Sequence, residues 1–221
     1  MNERILVILA NSVKHHQHCV VGKDISTKKW IRPVSNDTGE ALSNEQSSYT
    51  NKGSNWSVKP LDKIKMKFSK HVPLVQQPEN YLISKEKWTS NFKIEKEDLA
   101  QYVDQPENIW LDKSTNTNCV TSSLITSKKT VIAQSLYLIK IDNLILQTST
   151  EEIGGEEKRK LRGSFIYNKV NYKDLTITDP KIWKEYKTKP IGKYEKKDVY
   201  LCLSLGEEFH GFYYKIIAAV I

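Results

Sequence analysis

Apolar positions along this chain recur mostly with a period of two, the signature of strands whose side chains alternate between two faces. Ile5 to Ala10 is apolar without interruption over strand length and reads as a strand buried on both faces. His18 to Ile25 and Trp30 to Val34 follow, joined by the polar Ser26-Thr27-Lys28-Lys29 connection and ended by Pro33, and the three make a meander. From Asn36 to Ser57 the chain is rich in Ser, Asn, Thr and Gly with little periodicity, which predicts a long, mobile surface loop of the kind that can serve as a lid. Ile64, Met66 and Phe68 then alternate with Lys63, Lys65 and Lys67 in a strand with one wet face, Leu61 falling out of phase, and Tyr81 to Ile83 gives another. Ile94 to Val103 carries acids early and Leu99, Tyr102 and Val103 at helical spacing, so a short amphipathic helix is expected there.

The second half is clearer. Strand patterns fall at 135–146, 160–168, 171–178, 198–205 and 212–221. Asp179 is a good N-cap and Pro180 suits a first helical position, so the helix expected to Tyr186 rests on chemistry as well as spacing. The resulting order, β-β-β-α-β-β, is that of an OB-fold, a small, partly open barrel whose central strands bind oligonucleotides or oligosaccharides. The first half repeats it as three strands, a long insertion and two more strands. The expected architecture is therefore mainly β: two tandem OB-like small barrels with short helices, the first over 1–112 with its insertion at 36–57, the second over 113–221 and opening on a polar loop from Lys113 to Asn118.

At 221 residues the chain has room for one large domain or two small ones. Its 5 Trp, 11 Tyr and 5 Phe argue against disorder. The longest apolar runs span six residues, Ile5 to Ala10 and Ile216 to Ile221, against the ~20 needed to cross a bilayer. The apolar stretch near the N-terminus is too short for a secretory leader, so a cytoplasmic protein with no membrane partner is expected. Cys19, Cys119 and Cys202 are odd in number and far apart, which fits free thiols better than a disulfide framework or a zinc ribbon.

Charge changes the picture most. The net charge is +8, and the excess sits in the second half, where 18 basic residues face 12 acidic ones after Asp112, against 16 and 14 before it. Residues 158 to 197 hold 13 basic and 4 acidic residues interleaved with Phe165, Tyr167, Tyr172, Trp183, Tyr186 and Tyr194. That mixture suits single-stranded nucleic acid, since cations pair with phosphates while aromatic faces stack on bases. A lysine-rich solvated surface has the same composition.

The candidate binding residues follow. In the first barrel, Trp30 and Arg32 alternate with Ile31 and could present a stacking plane beside a forked phosphate donor, with Asn11, Ser12 and Lys14 adding hydrogen-bonding groups and a cation after the first strand. The alternative is that Trp30 is a core residue and Arg32 a structural ion-pair member. In the second barrel, Arg159, Arg162, Phe165, Tyr167 and Tyr172 lie on the second and third strands, the usual binding face. Gly206 reads as a turn glycine with positive φ. His15, His16, His18 and Cys19 have metal-ligand chemistry, but adjacent histidines do not face one ion comfortably, so no metal site is expected. There is no Gly-x-Gly-x-x-Gly, Walker-type loop or Gly-x-Ser-x-Gly, so no cofactor or catalytic set is assigned and catalysis has no support in the motifs.

Ile8-Leu-Ala-Asn-Ser-Val-Lys, Cys19-Val-Val-Gly-Lys, Trp30-Ile-Arg-Pro-Val-Ser and Gly39-Glu40 near the start, with Tyr200-Leu-Cys-Leu-Ser-Leu-Gly-Glu-Glu-Phe and Tyr214-Lys-Ile-Ile-Ala-Ala-Val-Ile at the close, resemble the bacterial dual OB-domain family. Pro60-Leu61-Asp62, Gln77-Pro78-Glu79-Asn80, Ser135-Leu136-Tyr137-Leu138-Ile139, Phe165-Ile-Tyr and Thr178-Asp179-Pro180 extend the likeness over the whole chain. The resemblance implies two OB-like barrels that recognise nucleic acid or a nucleotide, often beside effectors of bacterial conflict systems, and it supplies no catalytic residues. The expected partner is thus single-stranded nucleic acid or a nucleotide, with a protein effector as a further one. A nucleotide-processing enzyme is the remaining alternative.

Overall fold

The computed structural model describes residues 2–14, 16–51, 53–110, 116–128 and 131–221, with the side chains of Asn2, Lys14 and Ile153 outside the described set. The chain forms two compact units: Met1–Val103 with Val131–Leu136, and Asp104–Thr130 with Tyr137–Ile221. The boundary expected after Asp112 falls among residues outside the described set.

The first unit contains β1 (Asn2–Lys14), β2 (Gln17–Asp24), β3 (Trp30–Val34), β4 (Ser48–Asn51), β5 (Ser54–Ser57), β6 (Asp62–His71), β7 (Asn80–Ile83), β8 (Trp88–Lys93) and a 3-10 helix at Lys96–Tyr102. β1 pairs antiparallel with β2, and β2 with β3; β3 runs parallel to β7, β7 is antiparallel to β6, and β6 returns to β1. These five strands close a barrel. Leu6, Ile8, Val20, Ile31, Ile64, Met66 and Phe68 fill it, each no more than 1 % exposed, and Val7 and Leu9 on the other face of β1 are buried too, which explains the uninterrupted apolar run from Ile5 to Ala10. β8 continues the sheet from β6, and β4 and β5 continue it further.

The second unit contains β9 (Cys119–Thr121), α1 (Ser122–Thr126), β10 (Leu136–Ile153), β11 (Glu156–Tyr167), β12 (Val170–Ile177), α2 (Pro180–Tyr186), β13 (Gly192–Phe209) and β14 (Phe212–Val220). The strand order β12-β11-β10-β13-β14 is closed by a parallel β12–β14 pairing, so the same connectivity recurs with α2 before the fourth strand. One Asp179 carboxylate oxygen accepts from the Lys181 and Ile182 N–H groups at 2.8 and 3.3 Å, and the other accepts from Val220 N–H at 2.9 Å. The residue that starts α2 also ties it to β14. Asn168 and Lys169, both at positive φ, make the two-residue turn between β11 and β12.

The two-barrel, mainly β architecture is as expected, and several local readings are corrected. The insertion at 36–57 is folded: β4 and β5 form a hairpin, Leu42 and, just beyond the insertion, Val58 enter the core, and Leu42 exchanges backbone hydrogen bonds with His18. Its apolar anchors are too widely spaced among polar residues to show a period. Leu61 is out of phase because it is a turn residue at φ +77, its N–H donating to the Ile8 carbonyl. The helix expected at 94–103 is a 3-10 turn capped by Glu95 and Asp98. Gly206 is not at positive φ; it lies within β13, where an added Cβ would meet Ile216 Cδ1 at 2.9 Å. β8, β9 and α1 carried no legible signal at three to six residues each.

Candidate functional site

The first three strands of the second barrel present a continuous outer face. Leu144, Leu146 and Thr148 of β10 point inward, so Asn143, Ile145, Gln147 and Ser149 point out; on β11, Leu161 and Phe165 are buried, so Lys158, Lys160, Arg162, Ser164 and Ile166 point out. Pairing sets Gln147 beside Arg162 and Ile145 beside Ser164, and Arg162 beside Thr176 on β12. A groove of about 740 Å³ crosses this face. Its lining is mixed: Ile145 and Ile166, the latter 65 % exposed, supply apolar contact, and Lys173, Lys193, Asp142 and Asp174 bring charges of both signs. Lys158, Lys160 and Arg162 form a stripe leading towards it, every second residue, about 6.8 Å apart at the rise of an extended strand. The ion pairs Lys158–Glu156 (3.6 Å) and Lys160–Glu151 (3.1 Å) are surface pairs, weak enough to yield to a phosphate.

The residues singled out in this barrel do not share one face. Arg159 and Arg162 are three positions apart on an extended strand and point to opposite sides, Arg159 donating to the Lys189 carbonyl and Arg162 to the Thr176 hydroxyl. Phe165 and Tyr172 are inside the barrel, stacked with centroids 5.4 Å apart, and the Tyr172 hydroxyl accepts from Ile109 N–H at 2.8 Å. Burial pushes the Tyr172 phenol up, the Ile109 hydrogen bond opposing it. Lys215, also buried, sits 5.4 Å over the Tyr172 ring. Tyr167 is half-buried, its phenol raised by burial and then by the charge of Asp104, against a hydrogen bond with Asn168. Around α2, Glu185 pairs with Lys189 and Lys196, and the Lys189 ammonium lies 3.7 Å over the Tyr186 ring. Part of the basic-aromatic mixture is thus spent internally.

The first barrel draws its candidates inward as well. Trp30 and Arg32 are buried, so they do not form an accessible plane. β3 lies between β2 and β7 and its five residues are all buried, which removes the alternation on which that plane depended. The Lys23 ammonium lies 4.9 Å over the Trp30 ring and donates to the Tyr102 carbonyl at 2.7 Å. Arg32 donates to Cys19 Sγ at 3.1 Å and to Ser135 Oγ at 3.0 Å, and the Ser135 hydroxyl in turn donates to the buried Glu79 carboxylate at 2.7 Å. Asn11 donates to the Val58 carbonyl at 2.9 Å and to Ser57 Oγ at 3.3 Å, holding the insertion against β1. Ser12 is half-buried opposite Cys19, and the Lys14 side chain lies outside the described residues. Trp30 is thus a core residue, and the described partners of Arg32, in place of the expected ion pair, are a thiol and a hydroxyl.

The model of a family described as a dual OB-containing domain matches residues 4–220. The chain belongs to that family. No curated protein and no solved structure matches it. A dual OB-containing domain is a scaffold for binding nucleic acid or another ligand, and in the second barrel the groove crosses the strands that such folds use for it. Among the described residues no group of three or more His, Cys, Asp or Glu side chains is placed to hold a metal ion. His18 lies between the Asn11 and Asn44 side-chain oxygens at 2.8 and 2.6 Å, and His15 lies outside the described residues. No helix among the described residues is long and apolar enough to cross a membrane.

Sequence reasoning missed Lys158, Lys160, Lys173 and Lys193 of this dual OB chain. For the first two a signal existed: Lys158, Lys160 and Arg162 alternate with Arg159 and Leu161, which places three cations on one face. Lys173 and Lys193 come together only through a bulge in β12 between Tyr172 and Leu175 and the fold-back of β13, neither of which has a local signature.

Proposed function

We propose that this dual OB-containing protein is a binding module, not an enzyme, and that it takes single-stranded nucleic acid across the outer face of its second barrel. The observation that carries the reading is the groove over β10, β11 and β12, entered by the Lys158-Lys160-Arg162 stripe. Alternating cations on an extended strand follow a sugar–phosphate backbone, while Ile145 and Ile166 offer apolar surface to bases. The net charge of +8, concentrated in this half of the chain, favours encounter with a polyanion. The reading fits a recognition component working beside an effector of a bacterial conflict system, the role that the family resemblance implies.

Fluorescence anisotropy with short single-stranded RNA and DNA over a range of salt tests it. Binding is expected to weaken steeply with salt, and the combined Lys158→Ala, Lys160→Ala and Arg162→Ala variant to flatten the log–log salt slope by about 2, at roughly 0.7 per lost phosphate contact. Lys173→Ala with Lys193→Ala should weaken binding further without altering the fold. An unchanged slope in the triple variant overturns the proposed face, and salt-insensitive capture of a protein with no oligonucleotide binding favours an adaptor instead.

A further inference from the structure

The groove of the second barrel holds acids as well as cations. Asp142 of β10 and Asp174 of β12 line it with Lys173 and Lys193, so its charged lining is balanced although the stripe that leads to it is cationic. Both acids are exposed, and among the described residues neither carboxylate has an ion pair or a hydrogen-bond donor, which leaves their oxygens open to a ligand. Asp174 owes its place to the backbone. Tyr172 and Leu175 of β12 oppose Phe165 and Gly163 of β11, so β12 carries one residue more than its partner and bulges between them. Asp174 sits in that bulge at φ +57, a left-handed conformation that Asp tolerates better than most side chains, and its N–H donates to Ser164 Oγ at 3.0 Å. The bulge breaks the alternation of the strand, so that neighbouring Lys173 and Asp174 both line the groove.

Two open carboxylates are a poor surface for phosphate. A strand whose phosphates meet Lys158, Lys160 and Arg162 must offer these acids something else, and a carboxylate only accepts hydrogen bonds. Along a sugar–phosphate backbone the donor is the ribose 2′-hydroxyl, present on every RNA nucleotide and absent from DNA. The DNA backbone brings to the same place only phosphate and ether oxygens, all acceptors, and an apolar C2′. Base N–H groups are donors too, but they change from base to base, whereas the 2′-hydroxyl recurs with the backbone that the cation stripe follows.

Resting on the reading of this groove as a single-strand site, we propose that the strand it selects is RNA, with Asp142 and Asp174 accepting from ribose 2′-hydroxyls while Lys173 and Lys193 hold the adjoining phosphates. The acids then act twice. Each makes with RNA a hydrogen bond of the stronger kind, in which one partner is charged, and each repels a strand that has no donor to give. Discrimination comes from the penalty on DNA as much as from the contact with RNA.

Fluorescence anisotropy of the full chain with one sequence in three forms, RNA, DNA and 2′-fluoro RNA, decides the proposal. The fluoro form keeps the sugar pucker of RNA but has no 2′ donor. RNA is expected to bind about 10-fold or more tightly than DNA, the worth of one hydrogen bond to a charged group, with 2′-fluoro RNA close to DNA. Asp142→Asn combined with Asp174→Asn should shrink the RNA-to-DNA ratio by about 5-fold or more, the difference between a charged and a neutral acceptor, and do so largely by tightening DNA. Asn suits the left-handed backbone at 174 and both positions are exposed, so the melting temperature should not move. Equal binding of RNA and DNA, 2′-fluoro RNA as tight as RNA, or an unchanged ratio in the double variant each overturns the proposal and leaves the single-strand reading of the groove standing. Binding of neither polymer overturns both.

Discussion

Glu79→Ala is expected to lower the stability of the first barrel by about 3 to 5 kcal/mol, the range for removing one member of a buried charged hydrogen-bond network. The Glu79 carboxylate is 7 % exposed and accepts from both the backbone N–H and the hydroxyl of Ser135. Arg32, 5 % exposed, donates to that same hydroxyl and to the Cys19 sulfur. Removing the carboxylate leaves the buried N–H and hydroxyl of Ser135 without their acceptor and takes a negative charge from the network that also holds Arg32. Replacing both charges, as Glu79→Met with Arg32→Met, should recover a good part of the loss, because the desolvation cost of the pair disappears with it. Chemical denaturation of the three variants reads this directly. A loss below about 1 kcal/mol in Glu79→Ala would mean that water reaches the pair. Arg32→Met separates structure from binding: an unchanged midpoint with weakened ligand affinity would restore Arg32 to a recognition role.

Gly22→Ala is expected to cost about 3 kcal/mol, at the upper end of overpacking effects, and to lower the melting temperature by roughly 12 to 24 °C for a unit of this size. A Cβ at this position would stand 2.3 Å from the Val7 carbonyl oxygen and 3.1 Å from its carbon. Those are backbone atoms of the neighbouring strand β1, with no rotamer to change. Gly163 in β11 is as crowded, at 2.4 Å from Ile217 Cδ1, but there the obstacle is the end of a flexible side chain. Gly192 provides the control, since nothing lies within 4 Å of its added Cβ and its φ is not positive, so Gly192→Ala should melt close to the parent. If Gly22→Ala melts with Gly192→Ala, strands β1 and β2 have slack that their close approach does not show.

Both barrels were legible because strand order and the Asp179-Pro180 cap are local properties, and the OB pattern follows from their sequence order. The limits have physical causes. Trp30 and Arg32 have the right chemistry for a binding pair, and nothing in five residues tells whether a strand has one wet face or none; that depends on β2 and β7 covering it. Phe165 and Tyr172 were read as stacking surfaces for the same reason, whereas they stack on each other inside the barrel. The Asn36 to Ser57 insertion reads as loop because Leu42 and Tyr49, and Val58 just beyond it, each anchor it singly. A pocket lined by Tyr49, Trp56 and Asp62 was invisible for that reason too: Asp62 and Trp56 are six residues apart, and only the fold of the β4–β5 hairpin against β6 brings them together.

The division of the chain between its two compact units is interleaved, since residues 131–136 belong with the first although 104–130 belong with the second. Ser135, which bridges Arg32 and Glu79, is therefore synthesised after part of the second unit. At about 5 to 20 residues per second, the first barrel waits several seconds after its last strand before its buried charges are joined. During that interval it is a nascent barrel with a half-satisfied polar core, and a chain stopped at Val103 would stay in that state for good.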